Sequence, residues 1–237
     1  MHLTKIELLA DDYPTKKHYP FSIGLFQNTR ELSFAKPITF FIGENGTGKS
    51  TLLKAIARKC NIHIWKGIDR TVAEYNRYQD ALHLHMRVKW RNGSVKGSFF
   101  GADSFGNYAK IVEEWASSDP GVLDYFGGAS LVTKSHGQCN MAYFRSRFDI
   151  EGLYLLDEPE TALSPTTQIE LVRLLGELMT NEKAQFVIST HSPILLALPG
   201  ADIYSFNGSV IEKVRYEDTD YYKVYKDFLN NRSKYLS

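Results

Sequence analysis

The stretch GENGTGKS at positions 43–50 matches the spacing G-x-x-x-x-G-K-[ST] at every fixed position. Glycines at 43, 46 and 48 let the backbone curl so that successive N–H groups point inward, an arrangement that suits phosphate oxygens. Lys49 has the reach to contact the β- and γ-phosphates of a nucleoside triphosphate, and the Ser50 hydroxyl can ligate Mg²⁺. Glu44, Asn45, Thr47 and Thr51 complete this candidate phosphate-binding set. A divalent ion there needs a carboxylate from a neighbouring strand, and LYLLDE supplies Asp157 where an apolar run ends. Glu158 follows directly and is placed to accept a proton from an attacking water. An adjacent Asp and Glu argue for hydrolysis. A third group, His191 in STHSP, could donate a hydrogen bond to the γ-phosphate or position that water. A strand-end histidine more often serves local hydrogen bonding, but its order after the two preceding motifs favours chemistry.

These residues require particular elements to hold them. PITFFI (37–42), GLYLLDE (152–158) and QFVIST (185–190) read as buried parallel strands. KSTLLKAIARK (49–59) reads as a helix with Leu52, Leu53, Ile56 and Ala57 on one side, and 138–148 as another. Ser164-Pro165 is an N-cap and first-turn pair, predicting a helix to about Thr180 with Ile169, Val172, Leu175 and Met179 in one stripe. Residues 81–90 alternate, with Leu82, Leu84, Met86, Val88 and Trp90 facing one way and His83, His85, Arg87 and Lys89 the other. The Asn-Gly that follows predicts a β-hairpin with VKGSFF at the edge of the main sheet. A helical segment is expected near 108–116. Residues 203–206 and 210–214 suggest a final hairpin, and 216–229 a helix with Tyr221, Val224, Tyr225 and Phe228 at helical spacing. That helix either packs on the core or meets a partner. Strands separated by helices give an α/β fold class with a mainly parallel sheet and an antiparallel flank.

Composition sets the outer limits. In 237 residues, 43% are hydrophobic and 23% charged, the balance of a globular chain able to bury a core. A net charge of +1 supplies no basic field for nucleic acid. Cys60 and Cys139 lie far apart, which argues against a disulfide framework or structural zinc and suits a reducing compartment. Lys5, Glu7, Asp11 and Asp12 stand where a signal peptide would need apolar residues, and no run approaches the roughly 20 residues of a membrane span. A cytoplasmic protein with no transmembrane segment of its own is expected.

GENGTGKST, LYLLDEPETALSP and ISTHSPILL together resemble the ATPases of the ABC type. Among them the chain is most similar to the small soluble AAA/ABC-like ATPases related to chromosome-maintenance, recombination-repair and phage-defence proteins. The resemblance runs from about Pro20 to Asn231 and implies a P-loop NTPase fold in a single domain, 1–237, with an insert at about 61–134 carrying a hairpin and a helical segment. It implies ATP and Mg²⁺ as ligands and an ATP-dependent homodimer. It also gives SHGQ (135–138) the place of the family's signature, where Ser135 and Gly137 would contact the γ-phosphate of ATP on the opposite subunit. Read alone, those residues are ordinary helix-capping types.

Three departures accompany the resemblance. His136 replaces a glycine, and Ser164 stands where the family commonly has an aspartate. The coupling glutamine has no clear counterpart, leaving Asp103 and Gln79 as candidates, and Tyr19 is a candidate for stacking on adenine. Two alternatives stay open: a nucleotide-binding subunit of an ABC membrane transporter, and a DNA repair or defence component. The second would use the His83/His85/Arg87/Lys89 face for nucleic acid, and an effector protein is a further possible partner. The stretch between Ser50 and Ser135 is too short for a long coiled coil.

Overall fold

Three strands are buried on both faces: β3 (Ile38–Ile42), β6 (Gly152–Asp157) and β7 (Ala184–Ser189). Such strands read as unbroken apolar runs because helices cover the sheet on each side. The computed structural model describes residues 1–64, 76–101, 112–119, 121–123, 136–181 and 183–236. Among them, β3, β6 and β7 form the middle of a six-stranded sheet ordered β5-β6-β7-β3-β8-β9. Here β5 is Gly97–Gly101, β8 is Asp202–Ser205 and β9 is Glu212–Val214. Neighbours run parallel except β9, which returns antiparallel on β8 as the sequence pattern predicts.

Alternation along these strands divides the core. Phe40, Tyr154, Leu156, Phe186 and Ile188 face one side, packed with Phe144 of α3 (His136–Arg147) and with Leu171 and Leu175 of α4 (Pro165–Met179). Phe41, Leu153, Leu155 and Val187 face the other, against Leu52, Leu53 and Ile56 of α2 (Lys49–Lys59) and Phe26 of α1 (Gly24–Asn28). Each fully buried Leu or Phe contributes about 1.5–3 kcal/mol, so the two clusters clamp the strand ends from which the polar groups project. Helix α4 begins as predicted, with Ser164 accepting the Thr167 N–H and Pro165 in the first turn. Its buried stripe differs from expectation. Leu171, Leu175 and Leu178 face inward while Ile169 is 42% exposed, because the helix axis turns its second apolar row to the sheet.

A separate three-stranded antiparallel sheet, β2-β1-β4, joins β2 (Glu31–Ser33), β1 (Leu3–Leu8) and β4 (Met86–Trp90). The expected hairpin between 81–90 and VKGSFF is therefore corrected. Gly93 does adopt a left-handed turn (φ 96°), but β4 pairs with β1 and β5 pairs in parallel with β6. The physical reason is burial. β5 carries Phe99 and Phe100, buried toward opposite core clusters, and needs two covered faces, whereas β4 buries one face only. The strict alternation also starts late, since Leu82–His85 forms a 3-10 turn with Leu84 65% exposed.

Gln185 stitches the two sheets together. Its fully buried Oε1 accepts from the N–H groups of His2 and Leu3 (both 2.7 Å), and its Nε2 donates to the Leu3 carbonyl (2.8 Å). After β7 come α5 (Pro193–Leu196), a 3-10 turn at Tyr216–Asp218, α6 (Asp220–Asn230), capped by Thr219, and α7 (Ser233–Leu236). Helix α6 packs on the core through Tyr221 at its start, while Val224 and Tyr225 are 55% and 52% exposed.

Candidate functional site

The loop between β3 and α2 is shaped by its glycines. Gly43, Gly46 and Gly48 have φ of 148°, 81° and 103°, and Gly48 is the N-cap of α2. A Cβ on Gly48 would sit 2.8 Å from the Phe26 ring, so the curl and the close packing beneath it both demand glycine. Glu44, Asn45 and Gly46 form the exposed tip, and Thr47 closes the turn by donating its hydroxyl to the Glu44 carbonyl (2.9 Å). Lys49 is only 5% exposed and donates to the carbonyls of Gly43 (2.6 Å) and Glu44 (2.9 Å), which hold the ammonium over the loop. Burial pulls Lys49 below the usual lysine range, against the opposing pull of Glu158, Asp157, Glu44 and Glu160.

The parallel sheet brings two strand ends to this loop. Asp157 closes β6 in register with Ser189 of β7, and its Oδ1 accepts the Ser50 hydroxyl at 2.7 Å. Burial raises the Asp157 carboxyl above the ordinary range, and the Ser50 hydrogen bond offsets part of that. A buried carboxylate touching a hydroxyl is a hard oxygen pair, which fits Mg²⁺ completed by phosphate oxygens and water. Ser50 and Asp157 are thus the residues that could hold it.

Glu158 then takes a left-handed conformation (φ 51°) while its N–H still donates to the Ser189 carbonyl at 2.9 Å. A non-glycine residue held there costs about 1–3 kcal/mol, and the turn swings the carboxylate away from Asp157. It arrives beside His191, whose Nε2 lies 3.4 Å from Glu158 Oε1. That contact lacks hydrogen-bond geometry, and Nε2 is buried with no hydrogen-bond partner. Burial and the nearby Lys49 depress the imidazole below its usual range, so it is neutral at neutral pH.

Two residues that sequence reasoning missed complete the arrangement. Glu160 Oε1 accepts the His191 backbone N–H at 2.7 Å, and burial pushes this carboxyl upward. Its signal was the third acidic residue in DEPE, two positions beyond Glu158. Tyr221 contacts His191 Nδ1 (2.8 Å) and donates to the Gly43 carbonyl (2.9 Å). Its helical spacing in the sequence pointed to packing, and nothing local tied it to this loop.

The remaining candidates are distributed. The Tyr19 hydroxyl is 2.7 Å from the Thr51 hydroxyl, so this half-exposed ring flanks the first turn of α2. Gln79 lies in an exposed turn beside the same helix, where Asp80 pairs with Arg58 (2.7 Å) and Asn76 donates to the Tyr19 carbonyl (2.8 Å). Asp103, Ser135 and residues 108–111 of the segment expected to be helical near 108–116 lie outside the described residues, and 112–118 is helix. Gly137 sits in the first turn of α3, where a Cβ would come 2.8 Å from the Ala162 carbonyl oxygen. It lines an open cleft with His136, Gln138, Ser164 and Thr167 that includes none of the phosphate-loop residues. The proposed nucleic-acid face is broken up. His85 packs edge-on against Phe21, and Lys89 pairs with Glu7 at 2.8 Å.

Comparison with known proteins agrees with this geometry. Residues 22–58 match a family model described as an AAA domain, and residues 140–197 match one described as "AAA domain, putative AbiEii toxin, Type IV TA system". The chain is 28% identical over 170 residues to the "Probable siderophore transport system ATP-binding protein YusV" of Bacillus subtilis (strain 168), covering 65% of this chain and 61% of that one. These matches support a P-loop ATPase of the ABC/AAA-like kind.

The solved structure of cbiO1 from Clostridium perfringens, part of the ABC transporter complex cbiONQ, shares the fold of this chain. Its TM-score is 0.56 at 16% identity, covering 98% of this chain and 97% of that one. The chain is also 25% identical over 175 residues to "Ribose import ATP-binding protein RbsA 2" of Burkholderia ambifaria, covering 66% of this chain and 34% of that one. The chain thus spans 61% and 34% of the lengths of these two curated relatives. Among the described residues no helix is long and apolar enough to cross a membrane.

Proposed function

We propose that this domain binds Mg-ATP and hydrolyses it to ADP and phosphate, and that nucleotide binding drives a head-to-head homodimer in the cytoplasm. One observation carries the reading. Two close side-chain pairs, Ser50 Oγ with Asp157 Oδ1 at 2.7 Å and His191 Nε2 beside Glu158 Oε1 at 3.4 Å, lie at the loop that holds Lys49.

Backbone N–H groups of the 43–50 loop and the Lys49 ammonium bind the β- and γ-phosphates. Mg²⁺, held by Ser50 and Asp157, supplies charge neutralisation on the phosphate oxygens. Glu158 takes a proton from water as the water oxygen bonds to the γ-phosphorus. The bond to the bridging oxygen breaks, and its electron pair leaves with ADP. Gly137, and Ser135 beyond the described residues, would close the partner's site by pointing the α3 N-terminus at its γ-phosphate. γ-Phosphate contacts that exist only in the closed dimer give the differential affinity a switch needs. The transporter relatives favour a second reading, a nucleotide-binding subunit that docks on a membrane permease.

The test is turnover and molecular size of Glu158→Gln. It should bind Mg-ATP, lose about 10²-fold or more in turnover, and accumulate as a dimer. Wild-type turnover in that variant would remove Glu158 as the base. Ser135→Arg should abolish the dimer and spare nucleotide binding, and unchanged association would reduce SHGQ to a helix cap. Co-purification with an integral membrane partner would favour the second reading.

A further inference from the structure

The Tyr221 hydroxyl has one hydrogen and two neighbours. It lies 2.9 Å from the Gly43 carbonyl, which can only accept, and 2.8 Å from His191 Nδ1. If the hydroxyl donated to Nδ1, two acceptor oxygens would face each other at the Gly43 contact, a repulsive arrangement. The assignment that satisfies both contacts has Tyr221 donating to Gly43 and His191 Nδ1–H donating to Tyr221. In the neutral imidazole Nε2 is then bare. It faces Glu158 Oε1 at 3.4 Å as one acceptor facing another, in keeping with the lack of a hydrogen-bond partner at the buried Nε2.

We infer that Tyr221 is a positioning residue: its hydroxyl locks His191 in the Nδ1–H tautomer, so that Nε2 and Glu158 Oε1 form a two-acceptor clamp for one water. Nε2 is closed to solvent in this structure, so the water enters as the site opens to ATP; at hydrogen-bond distance from both atoms it donates one hydrogen to each and turns a lone pair outward as the attacking pair. This rests on the ATPase reading above and assigns His191 to the water rather than to the γ-phosphate. The neutral Nδ1–H tautomer has no proton on Nε2 to offer an anion.

The same hydroxyl ties the clamp to the phosphate loop. The Gly43 carbonyl accepts from both Lys49 Nζ (2.6 Å) and Tyr221, and the next residue's N–H, on Glu44, donates to Asn207 Oδ1 at 2.9 Å. Two consecutive loop residues are therefore held by the segment that follows β8. That segment lies beyond residue 197, where the second family match ends. A displacement of Gly43 when Lys49 engages phosphate reaches His191 through one side chain.

The experiment uses the full chain with ¹⁵N-labelled histidine and the variants Tyr221→Phe, His191→Ala and Tyr222→Phe. Long-range ¹H–¹⁵N correlation should show His191 as the Nδ1–H tautomer in the wild type and a shift toward Nε2–H in Tyr221→Phe. Steady-state kcat for ATP should fall about ten- to hundredfold in Tyr221→Phe with KM within about twofold, and stay at the wild-type level in Tyr222→Phe. An Nε2–H wild-type ring overturns the inference. So does full kcat in Tyr221→Phe alongside its loss in His191→Ala. A wild-type chain without turnover would sink the ATPase reading and the catalytic half of this inference together, and the tautomer alone would then judge the positioning half.

Discussion

Glu158 and His191 meet across the ends of adjacent parallel strands, with Oε1 and Nε2 3.4 Å apart and Nε2 turned inward. Neither residue reaches the other through its own element. The left-handed backbone of Glu158 and the Glu160 carboxylate on the His191 N–H set the approach.

The pH dependence follows from that pair. Burial is the largest influence on His191 and disfavours the imidazolium, with Lys49 adding to it and Glu158 and Glu44 opposing. A depressed histidine is neutral at and above its ordinary value of 6.5 and charges only below it. In the proposed mechanism the neutral form is the competent one, so kcat/KM for ATP should be level above pH 6.5 and fall on an acid limb below that value. kcat/KM reports the free enzyme, whose groups these are. An acid limb centred above pH 6.5 would mean that the imidazolium, or another group, controls turnover.

The Ser50 hydroxyl is committed to Asp157 at 2.7 Å and supplies half of the oxygen pair that suits Mg²⁺. Ser50→Ala should raise the Mg²⁺ concentration needed for ATP binding by about tenfold or more. Titrating Mg²⁺ against a fixed ATP concentration, with nucleotide binding as the signal, measures this. An unchanged midpoint would place the ion elsewhere.

Gly48 combines φ of 103° with ring contact beneath it. Gly48→Ala should cost about 1–3 kcal/mol from backbone strain alone, and the Phe26 ring must move as well. The expected result is a Tm lower by roughly 2–4 °C for each kcal/mol, together with weakened ATP binding. Full retention of both in a thermal melt and a binding titration would show that the loop tolerates a side chain.

Gln185→Leu preserves volume and removes three hydrogen bonds that join β7 to the N-terminal strand. Each buried backbone group left without a partner costs about 1–3 kcal/mol, so a large drop in the urea midpoint is expected. Because the active strand ends lie at the opposite end of β7, ATP affinity of the folded variant should stay close to wild type. A midpoint within experimental error of wild type would show that water replaces the amide.

The glycine-rich loop, its strand and helix, and the strand-end carboxylates were legible in the amino-acid order because one local segment contains both the turn and the elements that flank it. GENGTGKS needs no distant residue to explain its glycines, and Ser164-Pro165 starts α4 by chemistry confined to a single turn. The strand pairing of 81–101 was not legible. An Asn-Gly turn makes a hairpin locally possible, but β5 gains more by burying Phe99 and Phe100 on two faces than by pairing with β4. Pairing depends on which surfaces compete for a strand, and that competition is settled only when the whole sheet assembles.

The chain's own order of residues determined the groups on offer: a glycine-rich loop with its lysine, two carboxylates and a histidine, each at the end of a strand. Tertiary structure alone decided how these groups face one another. It brought Tyr221 from the far end of the chain to the Gly43 carbonyl and the His191 ring, and Glu160 to the His191 N–H. Hydrogen-bond partners so distant in sequence leave no periodicity or spacing to read, since their geometry exists only after the parallel strands and α6 have packed.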